Sequence, residues 1–295
     1  MTTQSREVPR LLLGGAVLEG GTRAPRDREL ELAARYREPE SLAVSLSKAL
    51  SAGADGVLVT PSAQLDTALA LLKHPVPILA LLPQPSALAR DAAEHGIAGA
   101  VRARGRQAGA IKRMRHALTS VTHGWAASRQ DLAGLVPLLL ELEAPRQRDL
   151  RGIVLSDRIT DLALAGKHRH FFEVYARFVR SRFGGLAGLE TRNLGHLLRT
   201  LHEWGIAVDV VVGPVNPDGV AMKPSRGEVL AELARATVPV LAKELRGGGT
   251  TSLVEGARFA RAHGAYGLVA DLVDLEDLGA ELRALKALDG VSATA

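Results

Sequence analysis

One stretch shows the repeating unit of this chain: VPVLAKELRGGGTTSLVEG, residues 238–256. It begins with an apolar run over 238–242, which is typical of a buried parallel strand. Three charged residues follow where that run stops: Lys243, Glu244 and Arg246. Three glycines come next, and Ser252 and Glu255 then have the capping-box spacing that begins a helix. The stretch therefore predicts a strand, a charged strand end, a glycine-rich loop and a helix.

The same alternation of strand and helix recurs along the chain. Nine segments have the pattern of strands: 10–17, 56–60, 76–82, 97–101, 152–156, 185–189, 207–212, 238–242 and 266–270. Helical patterns separate them, which indicates a parallel sheet with helical crossovers. Eight units in roughly 250 residues favour a (β/α)8 barrel over an open doubly wound sheet. One candidate is then surplus, and either 97–101 or the N-terminal run lies outside the barrel.

Two segments depart from this alternation. Residues 20–38 are polar and predict a loop or lid, whereas 105–150 predicts a helical insertion with helices over 111–121 and 131–142. The second of these helices is strongly apolar, so the insertion is a possible homo-oligomer interface. The chain as a whole, 1–295, is predicted to be one barrel domain carrying this insertion.

Composition narrows the class of protein. The 295 residues are 46% hydrophobic and 23% charged, which is ordinary for a globular protein, and no apolar run reaches the roughly 18 residues that a membrane span needs. Because cysteine is absent, disulfides and thiolate chemistry are excluded. The net charge of +5 is spread along the chain and only 3% of residues are aromatic, so no nucleic-acid partner is predicted. The N-terminus has no signal-like h-region, and a cytoplasmic location is expected.

The catalytic groups of a barrel lie at the carboxyl ends of its strands. Glu190, Lys243 and Glu244 directly continue apolar runs and are the candidate catalytic residues. Since side chains alternate along a strand, only one of Lys243 and Glu244 faces the lumen, and the sequence leaves both choices open. A lumenal, desolvated Lys243 would have a lowered pKa and could form a Schiff base. A lumenal Glu244 would favour general acid–base chemistry with Glu190.

The glycine-rich loop after 238–242 predicts an anion contact. Its backbone N–H groups and the following helix N-terminus favour negative charge. The acidic end of the next strand, Asp271 to Asp274, disfavours a phosphate, so a carboxylate or another single anionic group is expected. The full set of predicted substrate contacts is Asp157, Arg192, Asn193, Asn216, Lys223, Arg246, Gly247, Gly248, Gly249 and Thr250.

No cofactor and no metal are predicted. The dinucleotide fingerprint does not follow the first strand, and the phosphate-binding P-loop motif is absent. His168 and His170 lie two residues apart without a carboxylate at ligand spacing. An alternative is a divalent ion held by the oxygen ligands of Asp157, Glu190 and Glu244.

From about residue 10 to 288, the strand–helix rhythm, Lys243 and the RGGGTTS loop resemble the broad group of (β/α)8 aldolases, lyases and isomerases. That resemblance implies a lyase or aldolase acting on a small anionic carbonyl compound, with Lys243 as the Schiff-base residue and Glu190 or Glu244 moving protons. Two alternatives are an acid–base isomerase or epimerase with Glu190 and Glu244, and a catalytically silent barrel that serves as a partner subunit.

Overall fold

Eight parallel strands close into a barrel in this computed structural model, which describes residues 7–15, 26–83, 93–95, 137, 140–141, 143–144, 149–249, 251–271 and 275–291. Each strand is hydrogen-bonded to its neighbours in sequence order, and the last pairs with the first. The (β/α)8 prediction is confirmed. The strands are β1 Leu11–Gly14, β2 Gly56–Val59, β3 Ile78–Leu82, β4 Leu150–Leu155, β5 Leu186–Glu190, β6 Val210–Pro214, β7 Val240–Lys243 and β8 Gly267–Asp271.

The barrel closes between β1 and β8, where Leu11 lies opposite Leu268 and Gly14 lies opposite Asp271. The N-terminal run is therefore a barrel strand. The eight strands close without residues 97–101, the surplus candidate, which lie outside the described part of the chain.

Helices follow the strands as the sequence pattern predicts. Their bounds are α1 Arg26–Arg35, α2 Pro39–Ser51, α3 Ala63–Ala70, α4 Asp157–Ala165, α5 Arg169–Phe183, α6 Leu194–Trp204, α7 Arg226–Arg235, α8 Leu253–Ala262 and α9 Leu275–Val291. Ser225 caps α7 by accepting the N–H of Glu228. Ser252 and Glu255 form both halves of a capping box at the start of α8, which explains why that boundary could be read from the sequence.

Helix α1 contradicts the loop predicted over 20–38. The segment is rich in Arg and Glu, but it also has one short apolar face. Leu32 and Tyr36, four residues apart on this face, are both buried. On its exposed side Glu31 and Arg35 form an i,i+4 ion pair.

The core has two layers separated by the sheet. An inner layer fills the lumen with alternate strand residues, among them Val154, Leu186, Leu241 and Val269. The outer layer packs the other strand face against the helices. The assignment of alternate residues to these two layers shows which face of each strand lines the lumen. It therefore also shows the direction of the polar side chains at the strand ends.

The predicted helical insertion lies largely outside the described residues. Pro137, Leu140, Glu141 and Glu143 are helical, as the sequence predicts for 131–142, whereas 111–121 is not described. Leu140 is fully buried in the outer core of its own chain. Glu141 is also buried and forms an ion pair with Arg182 of α5. These two side chains fasten the end of the insertion to the barrel.

Among the described helices, none is both long enough and apolar enough to cross a membrane.

Candidate functional site

Lys243, and not Glu244, points into the lumen. Leu241 belongs to the lumenal layer, and Lys243 lies two residues further along the same strand. β7 ends at Lys243, and Glu244 has a left-handed backbone with φ of 55°. The chain therefore turns away from the sheet immediately after the lysine, which settles the alternative that the sequence left open.

A buried ion pair joins the ends of β5 and β7. The Nζ of Lys243 donates to Oε1 of Glu190 at 2.5 Å, and the two side chains are only 14% and 8% exposed. Glu190 follows Leu186 and Gly188 on the lumenal face of β5, so strand alternation brings the two groups together. Two of the three predicted catalytic residues thus meet at the carboxyl-terminal mouth of the barrel.

Burial lowers the pKa of Lys243, but the charge and hydrogen bond of Glu190, with the charges of Glu244 and Asp157, outweigh it and leave the pKa raised. Desolvation was expected to lower this pKa. The carboxylate partner reverses that direction, because it favours the charged form of the amine. Lys243 is therefore an ammonium group at neutral pH, whereas Schiff-base formation requires the neutral amine.

Asp271 is a third member of this cluster that sequence reasoning left out of the site. It ends β8 two residues after lumenal Val269, and its Oδ1 lies 2.7 Å from where a Cβ on Gly14 would be. Burial raises the pKa of Asp271 to about 6, against the lowering effect of Lys243. Two features of the sequence could have identified it: Asp271 lies on the same strand face as Val269, and Gly14 lies opposite it in β1.

A second tier of acidic groups surrounds the pair. Asp157, the first residue of α4, accepts from Nε of Arg192 at 2.5 Å. Asp161 accepts from the hydroxyl of Thr191 and from the N–H of Arg192. Burial raises the pKa of Asp161 despite these two hydrogen bonds. Arg192 itself is 62% exposed, so it covers the rim and does not enter the lumen.

Oγ of Ser156 and Oδ1 of Asn193 are buried near this rim and have no hydrogen-bond partner in the described part of the chain. Ser156 follows β4 two residues after lumenal Val154, and its extended backbone keeps that alternation. Asn193 precedes α6. Buried polar groups are normally hydrogen-bonded, so both atoms are suited to receive a ligand.

The glycine-rich loop already holds a carboxylate from the same chain. Asp218 Oδ2 accepts from the N–H of Gly248 and from the hydroxyl of Thr251. The same oxygen lies 2.4 Å from where a Cβ on Gly247 would be, so only glycine allows this approach. Arg246 is bound through one nitrogen to both carboxylate oxygens of Glu281, at 2.7 Å each. Gly249 lies in the same loop, and Thr250 lies outside the described residues.

The remaining predicted contacts lie in the loop after β6. Asn216 is fully buried and closes that loop on itself, because its side chain bonds both the N–H and the C=O of Val220. Lys223 is exposed, and its carbonyl accepts the N–H of Gly195. Whether either residue touches a substrate stays a prediction.

Metal-ligand geometry is not found among the described residues, where no group of three His, Asp or Glu side chains could hold an ion. Asp157, Glu190 and Glu244, proposed as oxygen ligands, do not form such a group.

Comparison with known proteins finds similarity only at the level of three-dimensional structure. No family model matches the chain, and no curated protein matches it significantly. A solved structure assigned as an aldo-keto reductase from Pseudomonas aeruginosa is 15% identical, covers 98% of this chain and 97% of its own, and has a TM-score of 0.51. A second structure with the same assignment and organism is 16% identical, covers 98% and 94%, and has a TM-score of 0.52.

The prediction of a lyase or aldolase using a Schiff base is wrong. The two matching structures described above are assigned as aldo-keto reductases, which are oxidoreductases, not as lyases or aldolases. The resemblance to (β/α)8 enzymes is confirmed at the level of the fold, and a specific family of aldolases or lyases is not confirmed. At 15–16% identity, the likeness shows the (β/α)8 fold that this chain shares with them.

Proposed function

We propose that this chain is an oxidoreductase that interconverts a carbonyl compound and an alcohol at the carboxyl-terminal mouth of its barrel. The observation that carries the proposal is the buried Lys243 ammonium, held in the lumen by Glu190. The shared fold with structures assigned as aldo-keto reductases supports the reaction class. Because a fold alone does not imply an activity, the activity is assigned from the chemistry of the site.

Carbonyl reduction adds a hydride to carbon and a proton to oxygen. An ammonium group has three N–H donors, and Lys243 gives one to Glu190, which leaves donors for a carbonyl oxygen. In a buried site, this positive charge stabilises the oxyanion that forms as the hydride arrives. An alkoxide is a far stronger base than an amine, so Lys243 can complete the step by giving up a proton. Glu190 keeps Nζ in place and favours its return to the charged form.

A nicotinamide cofactor supplies the hydride in this class of chemistry. The buried Oδ1 of Asn193, without a partner in the described part of the chain, fits the N–H of the cofactor's carboxamide. The glycine-rich loop is less suited to its phosphates, because Asp218 already occupies the loop's donors. The residues present therefore fit the nicotinamide end, and Asn193 is the side chain that would hold it.

The test measures whether the purified chain reduces a panel of aldehydes and ketones with NADH or NADPH. The loss of absorbance of the reduced nicotinamide reports the rate. Lys243→Met removes the charge and the donor, so kcat/KM should fall by at least about 100-fold. Lys48→Met is the matched control, because Lys48 is exposed on α2 and should leave the rate unchanged. Absence of nicotinamide-dependent reduction in the wild type, or full activity in Lys243→Met, would overturn the proposal.

A further inference from the structure

Among the described residues, those at the mouth of the barrel are mainly acidic, although the whole chain carries a net charge of +5. Five carboxylates interact electrostatically with Lys243: Asp157, Asp161, Glu190, Glu244 and Asp271. The other cations acting on these groups are Arg192 and Arg246. Among the residues described at the mouth, carboxylates therefore outnumber cations, against the sign of the net charge of the chain.

Each of the three cations described at the mouth is engaged by a carboxylate. Lys243 is paired with Glu190, Arg192 with Asp157, and Arg246 with Glu281. An anionic substrate would thus meet neutralised cations and additional carboxylates. This charge distribution disfavours negative ligands and favours positive ones.

Asp271 is the carboxylate best placed to receive a positive group. It faces the lumen over Gly14, and within the described part of the chain it accepts no hydrogen bond. An independent observation points the same way. Ser156 is 7% exposed, its Oγ lacks a partner among the described residues, and strand alternation directs it to the lumen beside Glu190. A carboxylate and a hydroxyl oxygen are both acceptors, which is what an ammonium group requires.

We infer that the substrate is a carbonyl compound that carries a protonated amine, which is received by Asp271 while its carbonyl oxygen meets Lys243; Ser156 is a further acceptor on the β4 side of the lumen. This inference rests on the function proposed above and specifies its substrate class. It differs from the small anionic carbonyl compound that the sequence predicted, because the anion contacts expected there are occupied by Asp218 and Glu281.

Binding can be measured without turnover by titrating the full chain with dimethylbenzylammonium and with benzoate in a calorimeter. At about pH 8 Asp271 is ionised, because its pKa is about 6. The cation should bind at least about tenfold more tightly than benzoate. Equal or tighter binding of benzoate would overturn the inference, whether or not the chain reduces any aldehyde.

Variants assign the binding to Asp271. Asp271→Asn should weaken binding of the cation by about tenfold and leave benzoate unchanged or tighter, whereas Asp271→Glu, which keeps the charge, should retain most of the preference. Glu173→Gln removes an acid from the outer side of the barrel, on α5, and is the matched control. Unchanged cation binding in Asp271→Asn would overturn the assignment.

Turnover separates this inference from the proposed function. Among the aldehydes tested with NADPH, para-(dimethylaminomethyl)benzaldehyde should have a kcat/KM at least about tenfold above that of para-carboxybenzaldehyde. If calorimetry shows a preference for the cation but no aldehyde is reduced, the proposed oxidoreductase function is overturned. The preference for positive ligands is then retained. Faster reduction of the carboxylated aldehyde would overturn the substrate class and leave the oxidoreductase standing.

Discussion

The charge of Lys243 depends on a single neighbour. Burial alone would favour the neutral amine, and the carboxylate of Glu190 reverses this by its charge and by its hydrogen bond. The same lysine in a lumen without a carboxylate would be suited to nucleophilic chemistry. With Glu190 it is held in the lumen as an ammonium group before any reaction begins.

This dependence predicts the behaviour of Glu190→Gln. The variant loses the main influence that raises the pKa of Lys243, while burial, which lowers it, remains. Reductase activity should therefore decline at a lower pH than in the wild type, as Lys243 loses its proton earlier in the alkaline range. A pH profile of kcat/KM checks this, and an alkaline limb identical to that of the wild type would contradict it.

Asp271 predicts a pH-dependent stability. Its pKa in the fold, about 6, lies above the ordinary value of 3.8, so the fold favours its protonated form. The corresponding stability is present below about pH 4 and is lost as pH rises through about 6. Asp271→Asn removes the buried charge and should raise the free energy of unfolding by about 2–3 kcal/mol at pH 8, with little effect at pH 4. Urea titrations at the two pH values test this, and an equal change at both would contradict it.

At the scale of single residues, the sequence identified site residues more reliably than it predicted the direction of their side chains. Glu190 and Lys243 were identified because each continues an apolar run. The choice between Lys243 and Glu244 could not be made, since alternation defines two faces without saying which one is lumenal. Asp271 was recognised as an acidic strand end but was not assigned to the site, since its direction depends on pairing across the closure of β1 and β8.

At the scale of elements, the approach of α8 to the end of β7 depends on a glycine inside the helix. A Cβ on Gly256 would lie 2.0 Å from the carbonyl oxygen of Leu245, so no side chain fits there. Gly256→Ala should lower the free energy of unfolding by about 1–3 kcal/mol, because backbone must move.

Gly227, in α7, is the matched control, since a Cβ there would meet nothing within 4 Å. Gly227→Ala should be neutral or should stabilise the chain by up to about 1 kcal/mol, because alanine is the better helix former. Thermal unfolding of the two variants provides the comparison, and equal shifts in Tm would contradict this account of Gly256.

Element boundaries could be predicted where local chemistry sets them. Ser225 and Ser252 cap their helices through hydrogen bonds that their sequence spacing implies. Helix α1 could not be predicted in the same way. Its average composition is polar, and its stability comes from the tertiary burial of Leu32 and Tyr36, which is invisible to a local reading.

At the scale of the whole molecule, α9 connects parts of the barrel that are distant in sequence. Leu282 and Leu285 are buried in α9, which contacts both α2 and α8. Lys286 donates to Asp55, which also accepts the N–H groups of Arg10 and Leu11 at the start of β1. The last helix and the first strand are thereby held together through Asp55.

We therefore expect Leu285→Ala to destabilise the barrel as one unit. The free energy of unfolding should fall by about 2–5 kcal/mol because a buried side chain is truncated. Far-ultraviolet circular dichroism and tryptophan fluorescence should report one coincident transition, since the contacts of α9 connect the end of the chain with its first strand. Two separated transitions would show that α9 unfolds independently. An exposed leucine, Leu162, provides the control substitution, Leu162→Ala.

The fold itself was predictable because alternation of strand and helix is a property of the whole chain and survives local errors. The sequence predicted a closed barrel of eight strands but did not identify which of the nine candidate strands was surplus. The run at residues 10–17 contains a barrel strand, and the barrel is complete without 97–101. Hydrogen bonding between β1 and β8 decided this, and it joins residues more than 250 positions apart.

The carboxylate of Asp218 in the glycine-rich loop also determines how that loop behaves toward dissolved anions. A tethered group competes with an effective concentration that is in the millimolar range for short flexible connections. A dissolved anion must exceed that level before it displaces Asp218 from Gly248 and Thr251. The loop is therefore insensitive to anions at micromolar concentration, and its shape is set by the chain's own carboxylate.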